Sequence, residues 1–66
     1  MISIIIPVFN SENTIEILVK NIVEFLKKHH EFEIILINDS STDNSEEKCK
    51  ILVENYSNVV LYSLSK

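Results

Sequence analysis

Two short polar clusters hold the residues best suited to chemistry, Pro7-Val8-Phe9-Asn10-Ser11-Glu12 and Asn38-Asp39-Ser40-Ser41-Thr42-Asp43. The first closes the apolar run Ile2 to Val8, and the second directly follows the run Phe32 to Ile37. In open parallel sheets ligands bind outside the carboxyl ends of the strands, which is where both clusters fall. Strand parity brings Asp39 close to Pro7 and Phe9, so a carboxylate stands beside an apolar shelf. Composition removes several other chemistries. The 66 residues include no glycine, which excludes the phosphate-cradling loops G-x-x-x-x-G-K-[ST] and G-x-G-x-x-G. Cys49 is the single cysteine, so neither an internal disulfide nor a zinc cluster is available. Six Lys and Arg against ten Asp and Glu leave no electrostatic footprint for nucleic acid.

The elements that must position these clusters follow from the apolar periodicity. Ile2 to Val8 is apolar except at Ser3 and reads as a strand buried on both faces. Asn13 with Glu16 reads as a capping box for a helix running to about His29, with Ile15, Leu18, Ile22, Phe25 and Leu26 as its buried stripe. Glu16, Lys20, Glu24, Lys27 and Lys28 form the solvated face, and Lys27 to His30 suit the negative end of the helix dipole. Phe32 to Ile37 is a second buried strand that stops at Asn38-Asp39. Asp43 with Glu46 is another capping-box pattern, opening a helix that packs through Cys49, Leu52, Val53 and Tyr56 and breaks at Asn55 to Asn58. Val59 to Leu64 forms a third strand. The string β-α-β-α-β predicts an α/β fold with a three-stranded parallel sheet and right-handed crossovers. In the 3-2-1 order the apolar first strand becomes an open edge. The chain is therefore expected to be part of a longer one or to associate so that this edge is covered. No signal peptide is present, and no apolar run approaches the ~20 residues of a membrane span. The expected location is cytoplasmic.

Ser3-Ile4-Ile5-Ile6-Pro7-Val8-Phe9-Asn10-Ser11-Glu12, followed by Glu33-Ile34-Ile35-Leu36-Ile37-Asn38-Asp39-Ser40-Ser41-Thr42-Asp43-Asn44-Ser45, resembles the opening of family 2 glycosyltransferases. Members begin with an apolar strand, a Pro-x-Tyr-Asn-x-Glu turn and a second strand ending in Asp-Asp-Gly-Ser-x-Asp. The likeness spans essentially the whole chain, 1–66, as the N-terminal half of a Rossmann-like GT-A nucleotide-binding domain. It implies an enzyme that transfers a sugar from a UDP- or GDP-linked donor to a polysaccharide, lipid carrier or protein. Pro7, Val8, Phe9, Glu12 and Asp39 would line the nucleotide pocket, with Asp39 accepting from a base N–H and Phe9 walling the base or ribose. Asn10, Asn38, Ser40 and Asp43 would support the loops, Asn10 as a turn former and Asp43 as a cap that also holds the loop. Asn38 stands where the family has its first aspartate, Ser40 where glycine is common, and Phe9 lacks the usual tyrosine hydroxyl. Mg²⁺ or Mn²⁺ is expected for the parent enzyme, at an Asp-x-Asp motif beyond Lys66. The chain itself should hold no metal and contribute no catalytic residue, and the parent would work at the inner face of the membrane.

Plainer uses stand beside these. Asp39 also suits a turn or cap, although its pairing with the first cluster favours binding. Glu12 serves a helix dipole as well as it serves a ligand. Pro7 and Phe9 could simply end and pack the strand, His29 and His30 are solvated helix-terminal residues, and Cys49 is a core residue. A receiver-like phospho-acceptor domain shares the element order but needs acidic residues after the first strand and an aspartate ending the third, where Ser63-Leu64-Ser65 stands. The stronger rival is a non-catalytic interaction module that associates through the exposed first strand.

Overall fold

The computed structural model describes residues 1–28, 31–39 and 42–64. The elements run β1 (Ile2–Val8), α1 (Ile15–Leu26), β2 (Phe32–Asp39), α2 (Ser45–Asn55) and β3 (Val59–Leu64). The sheet has the order β1-β2-β3 with both pairings parallel, Ile4 opposite Ile34 and Ile34 opposite Val59. The expected α/β architecture is present, and β1 is an edge strand. His29, His30, Ser40 and Ser65 lie outside the described residues.

The core lies on one side of the sheet. Val8, Ile34, Leu36 and Val59 share one strand parity and pack with Ile15, Val19, Val23 and Leu26 of α1 and Cys49 and Leu52 of α2. Lys48 Nζ reaches Glu16 Oε1 at 3.0 Å and ties the two helices together. β1 therefore differs from the expected doubly buried strand: Ile5 is 65% exposed, and Ser3 and Pro7 open to the same side. Both connections progress in one direction along the sheet, and right-handed crossovers then place both helices on a single face. The other face carries Ile5, Ile35, Ile37, Val60, Tyr62 and Leu64 with no layer over it among the described residues.

The helices also depart from the sequence reading at their ends and stripes. α1 stops at Leu26, short of His29, and its N-cap is Thr14, with no side-chain capping bond from Asn13 to Glu16's turn. Its buried positions are Ile15, Val19, Val23 and Leu26, whereas Leu18 is exposed and Phe25 is 72% exposed. Apolar residues at 15, 17, 18, 19, 22, 23, 25 and 26 supply two overlapping stripes; Ile15, Val19, Val23 and Leu26 lie against the sheet, with Ile22 partly buried beside them as expected. In α2, Cys49 and Leu52 are buried as expected, and Val53 lies at the exposed edge.

Candidate functional site

The first loop leaves β1 at Val8 and turns sharply at Asn10, whose φ of 47° is the only positive value among the described non-glycine residues. Asparagine tolerates that left-handed region better than a branched residue does. The Ser11 carbonyl then accepts from Thr14 N–H at 3.0 Å and Ile15 N–H at 2.9 Å, starting α1. Thus Asn10 acts as the turn former. It also reaches the second loop, because its Oδ1 accepts from Thr42 N–H at 2.8 Å and Thr42 Oγ1 at 3.3 Å.

Two further bonds tie the loops together. Ser11 N–H donates to Ser45 Oγ at 2.6 Å, and Glu12 N–H donates to Asp43 Oδ2 at 3.2 Å. Asp43 Oδ1 accepts from Ser45 N–H at 3.0 Å and from Ser45 Oγ at 2.6 Å, an Asx turn leading into α2. The N-cap of α2 is Asn44, with no side-chain capping bond, so the aspartate is a loop clamp one residue before the cap and not the cap expected of it. Partial burial raises its pKa, but the Ser45 hydroxyl, the Ser45 N–H and the Glu12 N–H outweigh that and hold the carboxyl below its ordinary value.

Glu46 is not the reciprocal half of a capping box. Its Oε1 accepts from Asn38 Nδ2 at 3.4 Å, its Oε2 lies 3.5 Å from Lys50 Nζ, and Ser63 bonds it as well. The Ser63 hydrogen bond, then the Lys50 charge, lower its pKa. Asn38 is 3% exposed, so an amide rather than a carboxylate there spares Glu46 a like charge at close range.

Parity separates the expected binding residues into two groups. Pro7 and Asp39 are exposed on the open face, Phe9 is 61% exposed just beyond the strand end, and Val8 pairs with Asn38 one step below. The carboxylate and the aromatic thus stand at the carboxyl edge of the sheet as expected. Val8 is 1% exposed and gives its side chain to the core, so it does not line the site with that side chain. Glu12 is half-buried, and its N–H is committed to the lock. Ser11, Thr42 and Ser45 hold the loops together, a role that periodicity does not signal, since these bonds join residues more than thirty positions apart. Two concavities lie away from the loops, one along β3 against α2 and one at the amino ends of the strands. Among the described residues no three His, Cys, Asp or Glu side chains form a group that could hold a metal ion, and both Asp43 oxygens already accept hydrogen bonds.

A family model described as Glycosyl transferase family 2 matches residues 3–66. A prophage bactoprenol glucosyl transferase homolog of Escherichia coli is 48% identical over 46 residues, covering 68% of this chain and 15% of that protein. The poly(ribitol-phosphate) beta-glucosyltransferase of Bacillus spizizenii is 38% identical over 60 residues, covering 91% of this chain and 10% of that protein. A bactoprenol glucosyl transferase of Shigella phage SfX is 48% identical over 46 residues, or 68% of this chain and 15% of its own length. The chain spans 15% or less of these relatives. With the matched region taking in both loops and the parallel β-α-β-α-β arrangement of a Rossmann-like GT-A N-terminal half, the chain belongs to glycosyltransferase family 2.

Proposed function

We propose that this chain forms the nucleotide-facing part of a glycosyltransferase that moves a sugar from a UDP- or GDP-linked donor to an acceptor hydroxyl. The observation that carries the reading is the set of cross-loop hydrogen bonds, which make the two loops one shelf with Phe9 and Asp39 open at the carboxyl edge of the sheet. A base laid against Phe9 and Pro7 loses water from its face, and Asp39 accepts from the N3–H of uracil or the N–H donors of guanine. Val8 contributes backbone, Glu12 borders the shelf, and Asn10, Asn38 and Asp43 keep it in place. Transfer itself is attack of the acceptor oxygen on the anomeric carbon with departure of the nucleoside diphosphate. The described residues bind and orient the donor for that step and supply neither its base nor the Mg²⁺ or Mn²⁺ expected of the whole enzyme. The names of the relatives support a glucosyl donor, with bactoprenol or a ribitol-phosphate polymer as acceptor class. No helix among the described residues is long and apolar enough to cross a membrane.

Calorimetric titration with UDP, GDP and ADP tests this reading. UDP or GDP should bind with a Kd of about 1 mM or tighter, equivalent to ~4 kcal/mol, and should be preferred over ADP. Equal or absent binding of all three would contradict it. A second reading, association through β1, is favoured by the open edge and by exposed Ile5. Sedimentation equilibrium showing a dimer that UDP does not perturb would support that reading.

A further inference from the structure

We propose that Ser45 and Asp43 are positioning residues whose hydroxyl and carboxylate form a relay that sets the first loop, and with it the shelf, against the amino end of α2. The nucleotide consequence rests on the function proposed above, whereas the relay itself does not. Ser45 is 0% exposed, a fully buried polar side chain in the first turn of α2. A hydroxyl has one proton to give, and Ser45 gives it to Asp43 Oδ1 at 2.6 Å. That choice turns a lone pair toward Ser11 N–H, also at 2.6 Å. The next amide, Glu12 N–H, ends on the other oxygen of the same carboxylate. Two successive amides of the first loop are therefore held by one acidic group, one directly and one through Ser45.

The relay requires ionised Asp43, because protonation would remove acceptor capacity from a carboxylate whose two oxygens together take three donors. The ionisable groups on the adjoining elements are Glu12 in the first loop, Glu16 in α1, Asp39 at the end of β2, and Glu46, Glu47 and Lys48 in α2. Of these, Glu16 and Lys48 are paired with each other, and Glu46 is held by Ser63, Lys50 and Asn38. Truncating Ser45 would leave a Ser11 N–H and an Asp43 oxygen short of partners, at a cost borne by the loop and not by the sheet.

The test follows the backbone amides of the wild-type chain by NMR from pH 7 to pH 2. Ser11 and Glu12 should shift with one shared midpoint below the ordinary aspartate range, and Asp43→Asn should abolish that shared step. In Ser45→Ala, hydrogen exchange at Ser11 should accelerate about tenfold while Ile34 and Leu36 stay unchanged, and the Kd for UDP should rise roughly threefold or more. A Ser11 amide that does not titrate with Glu12 overturns the relay even if Ser45→Ala fails to fold. Unchanged Ser11 exchange in a folded Ser45→Ala chain overturns it equally. If the amides titrate together but UDP does not bind the wild type, the relay stands and the nucleotide function falls.

Discussion

Phe9 and Val8 are neighbours in sequence and should fail in opposite ways. Phe9 is 61% exposed, and a phenylalanine offers roughly 200 Å² in all, so about 120 Å² of ring is open to a ligand. A base covering half of that would remove ~60 Å² from water, worth about 1.5 kcal/mol at ~25 cal/mol per Å². Phe9→Ala should thus raise the Kd for UDP about tenfold. The folded chain makes little use of the ring, so stability should change by less than ~0.5 kcal/mol. Val8 is 1% exposed and packs in the core. Val8→Ala removes two carbons at ~0.8 kcal/mol each and leaves a cavity, for a loss of about 2–3 kcal/mol. Against the ~3–10 kcal/mol expected of a chain this size, that is a large fraction. Urea unfolding followed by circular dichroism, paired with calorimetric titration, measures both quantities. The reasoning is refuted if Phe9→Ala shifts the unfolding midpoint while leaving UDP affinity intact, or if Val8→Ala leaves the midpoint where it was.

Three other outcomes follow from the same geometry. Asp39→Ala should weaken UDP or GDP binding by about tenfold or more, the loss of a hydrogen bond to a charged acceptor, with an unchanged unfolding midpoint; unaltered calorimetric affinity would sink the assignment. Asp43 and Glu46 have folded pKa values below their ordinary ones, so the stability they add is complete above the unfolded values and is lost as pH falls through the folded ones. Urea midpoints should accordingly be flat from about pH 5 to 8 and fall on the acid side, less steeply in Asp43→Asn. Leu36→Ala, at a fully buried position of the central strand, should cost about 2–5 kcal/mol and visibly populate the unfolded chain in the circular dichroism spectrum without denaturant.

The sequence made the sheet legible because unbroken runs such as Ile34 to Ile37 fit few structures other than a central parallel strand. The α1 stripe was less determined. Leu18 and Phe25 satisfy helical spacing as well as Val19 and Val23 do, and only the position of the sheet decides between them. The two-sided burial expected of β1 assumed a second helical layer, and among the described residues all cover comes from one side. At the site, Asp39 is the last residue of β2 and Phe9 the first after β1, positions that follow directly from where the apolar runs end. Glu46 was misread because a Glu three residues after an Asp is also free to turn toward Asn38, a partner brought near only by tertiary structure. For the same reason the Asn10–Thr42 and Ser11–Ser45 bonds were invisible until the loops met.

The central claim is that the two locked loops present a nucleotide-binding shelf, and a UDP titration read residue by residue from amide NMR shifts tests it most directly. The account predicts the largest saturable changes at Val8, Phe9, Asn10 and Asp39, with the amides of Lys50 to Val53 on α2 and Glu31 to Glu33 at the opposite end of the sheet unmoved. Changes concentrated along β3 and α2, or no saturable change at millimolar UDP and GDP, would contradict it.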